Sequence, residues 1–233
     1  MELFVEGKDL VDLDFFSVSD PICTLSTKES NLPYATWKDA GETEVIDNNL
    51  NPKWIKHFCV WFIFIRDIEL WFKVWNYNQS GDNDLIGEVK LSLSQLMLAK
   101  GQSQTLTLTL SELKKGGKQI KNRDNRGSLT IRADKIKKTE DIIKFQISAN
   151  LQSKKFLCFG SDAPYLQIER ARQNEDRQDM VKVFRTPTAH DEIKPWWEPT
   201  TLFMTEFCNN NKQLPIRISV KNYVNAGTHK VYG

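Results

Sequence analysis

The chain has 233 residues, of which 40% are hydrophobic and 27% charged, and its 32 basic residues nearly balance its 30 acidic ones. This is a globular composition, which excludes an intrinsically disordered chain. The formal net charge of +2 gives no overall attraction to nucleic acid or anionic lipid, so any such attraction must be local. The length allows one large domain or two smaller ones, since domains cluster near about 100 to 150 residues.

The N-terminus and the apolar runs exclude two further classes. MELFVEGKDL carries acidic residues and lacks the apolar core of a secretory signal. The longest apolar run, FCVWFIFI at 58–65, is far shorter than the roughly 20 residues of a membrane-spanning helix. Cysteines 23, 59, 158 and 208 form no C-x-x-C pair, and we expect buried free thiols in a reducing compartment. We therefore predict a cytoplasmic protein without a membrane span.

Alternating hydrophobicity predicts a fold built from strands. In IELWFKVW at 68–75 the side chains of Ile68, Leu70, Phe72 and Val74 share one face. The same alternation recurs in TLTLTL at 105–110, GSLTIRAD at 127–134 and LPIRISVKNY at 214–223. LSQLMLAKG at 93–101 is the one short helix that we predict. Many short strands between polar turns indicate an all-β, antiparallel sandwich or barrel.

An internal repeat indicates two copies of this sandwich. SVSDPICTL at 17–25 matches FGSDAPYLQI at 159–168, and LNPKW at 50–54 matches IKPWW at 193–197. VWNYNQSGDNDLIG at 74–87 matches VKNYVNAGTHKVYG at 220–233. Three motifs recurring in the same order at a nearly constant spacing predict tandem domains. In this alignment Asp20 corresponds to Asp162.

The motifs of the first copy resemble those of C2 domains. They are L-x-x-x-D-F-F-x-x-S-D-P, then L-N-P-x-W, then N-Y-N-x-x-G-x-N-D-L-I-G-E, and the wording EVIDNNLNPKW and DLIGEVKLSLSQL most resembles the tandem C2 region of the copine family. The resemblance implies two eight-stranded antiparallel β-sandwiches, with calcium-binding aspartates and apolar tips on loops at one end. We expect a first domain at 1–134, a basic linker at 135–142 and a degenerate second domain at 143–233 that lacks its final strand. We expect no counterpart of the von Willebrand A type domain of copines within these residues.

The resemblance also implies a calcium site in the first copy, with fewer charges than usual. Loop 1 retains both aspartates, whereas the first two loop 3 positions are asparagines. The implied ligands are Asp14, Asp20, Asn76, Asn78 and Asp84, with Asp82 as a substitute. Because ligand charge sets much of the affinity for calcium, we expect a weak site. The alternative is that Asp14 and Asp20 only accept hydrogen bonds from loop amides.

The second copy departs further from the family pattern. Phe156 stands where the first loop 1 aspartate belongs, and loop 3 offers Asn222, Val224 and Lys230. We expect no calcium there, with the ammonium of Lys230 neutralising Asp162 internally in place of an ion. This copy is then a constitutive packing or docking module.

Apolar loop tips and a basic loop are candidate membrane contacts. The predicted tips are Phe15, Phe16, Phe156, Leu157 and Phe159, whose rings either insert into a bilayer interface, pack back on the sandwich or contact a protein. The predicted basic loop contains Lys114, Lys115, Lys118, Lys121, Arg123 and Arg126, in a Gly-rich segment that reads as a mobile loop between strands. The alternative for this loop is a solvated surface. No interleaved aromatic residues support nucleic acid as its partner.

Catalytic motifs are absent from the sequence. His57, His190 and His229 are isolated, and no G-x-S-x-G, P-loop or H-E-x-x-H motif occurs. We therefore expect neither an enzyme nor a small-molecule substrate. Two hypotheses remain: a peripheral module that binds anionic phospholipid membranes, or a structural adaptor that docks proteins in a larger assembly, for example a cytoskeletal or ciliary one.

Overall fold

The structure is a computed structural model that describes residues 1–15, 17–30, 32–61, 66–110, 113–115, 118–120, 125–152, 162–172, 179–190, 192–224 and 229–232. For residues 113–115, 118–120 and 230 the description covers the backbone. Contacts divide the chain into two compact units, Met1–Asp134 and Lys135–Gly233. No helix of the described residues is long and apolar enough to cross a membrane.

Two four-stranded antiparallel sheets form the first unit. Its elements are β1 (Glu2–Lys8), β2 (Pro21–Glu29), β3 (Lys38–Glu42), β4 (Phe58–Cys59), β5 (Ile68–Asn76), β6 (Asp84–Ser92), α1 (Leu93–Leu98), a 3-10 turn (Lys100–Gln102), β7 (Ser103–Thr107), β8 (Leu113–Lys115), β9 (Lys118–Ile120) and β10 (Ser128–Asp134). The sheet orders are β4-β1-β10-β7 and β3-β2-β5-β6, and β8 pairs with β9 as a separate hairpin.

The core of the first unit lies between these two sheets. Leu70, Phe72 and Val74 of β5 are fully buried, and Leu129 and Ile131 of β10 face them from the other sheet within one continuous cluster. The alternation read from the sequence is therefore confirmed for both strands. Each such side chain contributes about 1.5 to 3 kcal/mol by leaving water.

The predicted helix is confirmed, although it is shorter than expected. Ser92 caps α1 by accepting a hydrogen bond from the Gln95 N–H, while the Gln95 side chain accepts one from the Ser92 N–H. Regular helix ends at Leu98, and Gly101 takes φ of +63° in the following 3-10 turn. Leu93 and Leu96 face the core.

The Gly-rich basic segment is a paired hairpin in part, not the unpaired mobile loop that we expected. Leu113 pairs with Ile120, and Lys115 with Lys118. Backbone groups of β8 and β9 therefore hydrogen-bond to each other instead of to solvent. The side chains of Lys114, Lys115 and Lys118 and the residues Lys121 and Arg123 lie outside the described part of the chain.

The second unit repeats the arrangement with fewer strands. Its described elements are β11 (Ile142–Phe145), β12 (Pro164–Ala171), β13 (Met180–Arg185), β14 (Thr200–Phe203), α2 (Met204–Cys208), β15 (Ile216–Asn222) and β16 (Lys230–Val231). β11 pairs with β14, and the second sheet has the order β13-β12-β15-β16. Within the described residues this unit has no counterpart of β7 or β10. Its core is correspondingly smaller and centres on Leu166, Ile168 and Trp197.

Matching hydrogen bonds confirm that the two units are copies of one fold. Gly7 N–H donates to the Pro52 carbonyl at 2.8 Å, as Ala149 N–H donates to Pro195 at 3.0 Å. The Cys23 N–H donates to Thr43 Oγ1 at 3.0 Å, just as the Leu166 N–H donates to Thr186 Oγ1 at 2.9 Å. The repeat inferred from the sequence is thus built into the backbone as well as into the motifs.

The segment that we predicted as a linker is bound to α2 of the second unit. Asn209, which is fully buried with φ of +48°, donates from Nδ2 to the Lys135 carbonyl at 2.6 Å. Its Oδ1 accepts from the Lys137 N–H at 2.7 Å. The Thr139 N–H donates to Thr205 Oγ1 at 3.1 Å. These bonds give residues 135–139 a defined path along α2.

His57 fastens the edge of the first unit, where β4 meets β1. Its Nε2 lies 3.5 Å from Oε1 of the buried Glu2, and its ring is 4.8 Å from that of Phe4. Burial lowers the pKa of His57, but hydrogen bonds to Cys59 and Glu2 and the charge of Glu2 outweigh it and raise the pKa to about 9. His57 therefore has a structural role, in a charged form.

The His57 pairing predicts a pH-dependent stability. Because the folded pKa exceeds the unfolded value of 6.5, the stabilisation is fully present below that value and is lost as pH rises through about 9. We expect His57→Gln to lower the urea midpoint at neutral pH and to match the wild type above pH 9. His190→Gln, at an exposed loop position, is the control and should follow the wild type throughout. A pH-independent difference for His57→Gln would contradict the charged pairing.

Candidate functional site

Loop 1 of the first unit, residues 9–20, is held in shape by a residue that sequence reasoning did not select. Asp12 Oδ1 accepts hydrogen bonds from the backbone N–H groups of Asp14 and Ser19 and from Ser19 Oγ, each at 3.1 Å. Ser19 Oγ in turn accepts from the Leu13 N–H at 2.8 Å. The loop is thereby closed on itself, and this closure places Asp14 and Asp20 on either side of its turn. An Asp side chain often accepts a hydrogen bond from the backbone N–H two residues on in a turn, and Asp12 with Asp14 offered this pattern in the sequence.

Asn76, the last residue of β5, joins loop 1 to loop 3. Its side chain is 1% exposed, and its Nδ2 donates to Asp14 Oδ1 at 2.6 Å. Its Oδ1 accepts from the Asp20 N–H at 2.7 Å. The Tyr77 N–H donates to the Asp20 carbonyl at 2.9 Å and continues the pairing into loop 3. One buried amide therefore does what a bridging ion does, which is to hold two loops together.

Loop 3, residues 77–83, is closed by a second asparagine. Asn78 Nδ2 donates to the Asp82 carbonyl at 2.7 Å and to Asp84 Oδ2 at 3.0 Å. The Asn78 N–H donates to Asn83 Oδ1 at 2.9 Å. Both asparagines at predicted ligand positions thus direct amide N–H groups at the carboxylates that would bind calcium.

A third loop, around Asn48, donates a hydrogen bond to the Asp20 carboxylate. Asp20 Oδ1 accepts from the Asn48 N–H at 2.6 Å, and Asn48 takes φ of +49° to present it. Burial raises the pKa of Asp20, and the charges of Asp47 and Asp14 add to this, against the lowering effect of the Asn48 hydrogen bond. The carboxylates therefore still repel one another at this end of the unit.

The residues present fit a calcium ion poorly. Two of the predicted ligands are amides whose donor groups already bind Asp14 and Asp84. Among the described residues no three His, Cys, Asp or Glu side chains are grouped so that they could hold a metal. Replacing the ion by a neutral amide also removes the two positive charges that a calcium ion would supply. Asp14 and Asp20 instead accept hydrogen bonds from the Asn76 side-chain amide and the Asn48 backbone N–H, respectively. The residues predicted to bind calcium are thus largely bonded to one another or to the backbone of neighbouring loops.

The described tip of loop 1 is Phe15, whose side chain is 97% exposed. It lies beside Asp14, which also accepts from Ser17 Oγ at 3.0 Å. Phe15 therefore does not pack back on the sandwich, which removes one alternative for this ring. Phe16 and the predicted second-copy tips Phe156, Leu157 and Phe159 lie outside the described residues.

The structure shifts the equivalence of the two loop 1 motifs by one residue. Ala163 N–H donates to Asn222 Oδ1 at 2.7 Å, and the Tyr223 N–H donates to the Ala163 carbonyl at 2.8 Å. These are the bonds that Asp20 makes with Asn76 and Tyr77. The counterpart of Asp20 is thus Ala163, and our alignment of Asp20 with Asp162 was wrong.

Asp162 consequently occupies the position of the buried Ser19. Its side chain is 2% exposed, and its Oδ1 accepts from the Tyr232 hydroxyl at 2.7 Å. Burial, together with this bond to Asp162, raises the pKa of Tyr232. The backbone of Lys230 pairs with Asn222 in the sheet. The predicted ion pair of Lys230 with Asp162 involves a side chain outside the described set.

Arg126, the member of the predicted basic loop whose side chain is described, is built into the fold. Its Nε donates to the Ile86 carbonyl at 2.7 Å, and its backbone N–H donates to Leu108 at 3.3 Å. The adjacent Gly127 takes φ of +93°, where an added Cβ would lie 2.6 Å from the Asp9 carbonyl oxygen. Arg126 therefore anchors the return of the chain into β10.

A basic and aromatic face on the β3-β2-β5-β6 sheet was missed by sequence reasoning. Lys73 Nζ lies 3.8 Å from the centroid of the Trp71 ring and 5.6 Å from that of Trp75. Lys90 Nζ lies 4.1 Å from Trp71 and 5.4 Å from Trp37. Cation–π contacts of this kind hold each ammonium in place. The available signal was the second face of IELWFKVW, which alternates Trp71, Lys73 and Trp75 opposite the core residues.

The corresponding sheet of the second unit carries a similar cluster. Arg185 Cζ lies 3.9 Å from the Tyr165 ring centroid, and the His229 ring stacks on Tyr223 at 5.1 Å. Burial lowers the pKa of His229, and the charges of Arg185, Lys182 and Lys221 lower it further, to about 4. His229 is therefore neutral at neutral pH, and its Nδ1 accepts from the Val224 N–H at 3.2 Å. The cluster thus places cationic side chains beside aromatic rings, as in the first unit.

Comparisons with known proteins agree with this geometry. A family model described as the C2 domain matches residues 3–110 and 142–233, which is most of each unit. Nicotinic receptor-associated protein 1 of Caenorhabditis briggsae is 29% identical over 240 residues, covering 94% of this chain and 37% of that relative. The chain thus spans little more than a third of the relative's length.

Two solved structures are also similar. The calcium-bound pair of C2 domains of extended synaptotagmin 2 is 15% identical, covers 95% of this chain and 78% of its own, and superposes with a TM-score of 0.37. The second C2 domain of BON1 is 26% identical and covers 56% of this chain and 85% of its own, with a TM-score of 0.36.

The Asn76 amide predicts the effect of restoring a carboxylate. In Asn76→Asp the donor to Asp14 is lost and two carboxylates face each other across a hydrogen-bond distance. We expect the free energy of unfolding to fall by about 1 to 3 kcal/mol without calcium and to recover when calcium is added. Calorimetric titration should show at least tenfold tighter calcium binding than in the wild type.

Asn125→Asp is the matched control for this substitution. Asn125 Oδ1 accepts from the Gly127 N–H at 3.0 Å, so the variant adds the same charge while preserving the acceptor. It should change neither stability nor calcium affinity appreciably. Sub-micromolar calcium binding by the wild type would contradict the role assigned to Asn76.

Proposed function

Because the chain belongs to the C2 domain family, we propose that it is a non-catalytic, copine-like tandem module for peripheral binding of anionic phospholipid membranes. Its calcium site is weakened in the first unit and lost in the second. The observation that carries this proposal is the exposed Phe15 on a loop that is already locked by Asn76. A locked loop presents its tip without waiting for an ion.

The contacts of loop 1 favour calcium-independent attachment. Calcium in such a loop would supply positive charge and would hold the loops together. Here the second task falls to Asn76 and Asn78, whose amides bridge Asp14 and Asp84 to their neighbours. The first task is left to lysine and arginine side chains elsewhere on the unit.

The basic faces of both units supply that charge. Lys73 and Lys90 are held against Trp71 in the first unit, and Arg185 against Tyr165 in the second. Near an anionic leaflet each such cation contributes about 1 kcal/mol. Phe15 adds apolar burial at the interface, where aromatic rings are favoured. Together these contributions support reversible binding at a cytoplasmic membrane surface.

The second candidate function is a structural adaptor that docks other proteins, for example in a cytoskeletal or ciliary assembly. One observation favours it specifically: large apolar side chains are exposed far from loop 1, where Tyr34 is 94% and Trp61 78% exposed. The two functions are compatible, because they use different surfaces of one unit.

Sedimentation with vesicles tests the membrane function. We expect the chain to sediment with phosphatidylcholine vesicles that contain phosphatidylserine, equally in calcium and in chelator, and to stay in solution with phosphatidylcholine alone. Phe15→Ala/Phe16→Ala should weaken binding at least tenfold, because the tip no longer enters the interface. Trp61→Ala, at another exposed aromatic position far from loop 1, is the control and should bind like the wild type.

The basic face has its own test in the same assay. Lys73→Glu/Lys90→Glu should reduce binding to phosphatidylserine vesicles and weaken its dependence on salt concentration, since it removes two cations and adds two anions. Binding that needs calcium would contradict the role of Asn76 in calcium-independent attachment. Binding that is absent in both conditions would rule out the membrane function and leave the adaptor.

A further inference from the structure

A groove of about 620 Å³ opens at one side of the first unit, between the edge strands of its two sheets. β3 is the outer strand of one sheet and β4 the outer strand of the other. Ala40 of β3, Val60 after β4 and Ile68 of β5 form part of its wall. The groove is therefore the gap where the sandwich is left open along its side.

The groove lies far from loop 1. β2 and β5 both run from the loop end to the groove: Pro21 pairs with Asn76 at one end, and Glu29 pairs with Ile68 at the other. Nine strand residues with a rise of about 3.3 Å each place the two ends about 26 Å apart. A flat bilayer that received Phe15 could not also fill this groove.

Apolar side chains are exposed around the opening of the groove, where their contact with water is unfavourable. Tyr34 is 94% exposed, Trp61 78% and Leu32 46%, and all three line the groove. Clusters of exposed aromatic and aliphatic side chains mark sites of interaction, and Trp and Tyr dominate the binding energy of protein interfaces.

The backbone of the wall is oriented to accept a strand. Val60 directs both of its backbone groups at β1, since its N–H donates to the Met1 carbonyl at 2.9 Å and its carbonyl accepts from the Met1 amino group at 2.8 Å. Neighbouring residues of a strand point their backbone groups to opposite sides. The N–H and carbonyl of Cys59 therefore face the groove side. An extended peptide is the ligand that pairs with such an edge.

The charged side chains around the groove determine which charge is favoured on a bound partner. Glu29 pairs with Arg66 at 3.1 Å, and Lys28 with Glu69 at 3.8 Å. Asp39 Oδ1 accepts from the Gly41 N–H at 2.9 Å. Lys38 is exposed and, among the described residues, has no carboxylate in salt-bridge range. Asp39 keeps its negative charge, but successive side chains of a strand point to opposite faces, so Lys38 shares the inner face of β3 with Ala40 and Asp39 lies on the other face. The charge on the groove face of β3 is thus positive.

We propose that this groove binds an extended segment of a partner protein, with apolar side chains against Tyr34 and Trp61 and an acidic side chain paired with Lys38. The inference does not depend on membrane attachment; it rests on the adaptor function and specifies its ligand as an extended peptide. It gives the first unit two separate binding surfaces: the loop 1 end, which faces lipid, and the groove, which binds a peptide.

Selection from a random peptide library displayed on phage tests the proposal on the full chain. We expect enriched peptides to alternate apolar residues and to carry an acidic residue. Trp61→Ala should weaken binding of a selected peptide at least tenfold, measured by fluorescence anisotropy. Lys38→Glu should reverse the preference, so that the same peptide with lysine in place of its acid binds better. Phe15→Ala is the control and should bind the peptide like the wild type.

Cys59 provides an independent readout inside the groove. It is a free, exposed cysteine of the groove wall, whereas Cys23 and Cys208 are buried. In a Cys158→Ser background, a maleimide should react at Cys59, and saturating peptide should slow this reaction at least tenfold. A thermal melt of each variant confirms that it is folded, so that lost binding is not lost structure.

Each other outcome overturns the proposal. No enriched sequence, or enriched peptides that neither require Trp61 nor protect Cys59, would show that the groove does not bind extended peptides. Protection of Cys59 by phosphatidylserine vesicles alone would make the occupant a lipid surface. Protection that rises with the concentration of the chain itself would make it a second copy. Vesicle sedimentation with the Phe15 variant measures membrane binding independently of the groove, so either function can be contradicted without the other.

Discussion

A buried asparagine amide at the end of a central strand sets the geometry on which the loop end depends. In the first unit Asn76 Oδ1 accepts the N–H of Asp20, and in the second Asn222 Oδ1 accepts the N–H of Ala163. Both bonds fasten the start of one strand to the end of its neighbour. In the first unit the same amide also donates to a loop carboxylate, Asp14. The shared bond maintains the fold, and the extra one determines what the loop can bind.

This constraint explains why the two units differ in chemistry while sharing a backbone. A cation bound by carboxylates holds loops together only while it is present, whereas an amide holds them permanently and adds no charge. For the membrane binding that we propose, the positive charge then has to come from side chains. In both units it sits on the outer face of the sheet, where aromatic rings hold it: Trp71 beside Lys73 in the first, Tyr165 beside Arg185 in the second.

Sequence periodicity was sufficient for the strands and for the duplication, because alternating burial and repeated motifs are local properties. It failed where an answer depends on which partner a hydrogen bond has. The motifs SDP and SDAP align naturally on their aspartates, yet the strand register matches Asp20 with Ala163. Likewise Arg126 reads as part of a charged loop, although its Nε is bonded to the Ile86 carbonyl.

Exposure was equally hard to predict at the sheet edges. The run 58–65 is the most apolar of the chain, and we expected buried thiols, but Cys59 and Trp61 are exposed at the rim of the open sandwich. Hydrophobicity alone does not distinguish a core strand from an edge strand, because the difference lies in what packs outside it. The cation–π face has the same cause, since Trp71, Lys90 and Trp37 come together only through pairing of strands distant in sequence.

The lock at Asn76 has an evolutionary consequence. The codons for asparagine and aspartate differ by one base, so a point mutation separates a loop end held by its own amide from one that must recruit a cation. The surrounding carboxylates, Asp14, Asp20 and Asp84, are already in place. Lineages of this fold can therefore lose or regain dependence on an ion in one mutational step, while the apolar tip and the rest of the sandwich stay unchanged.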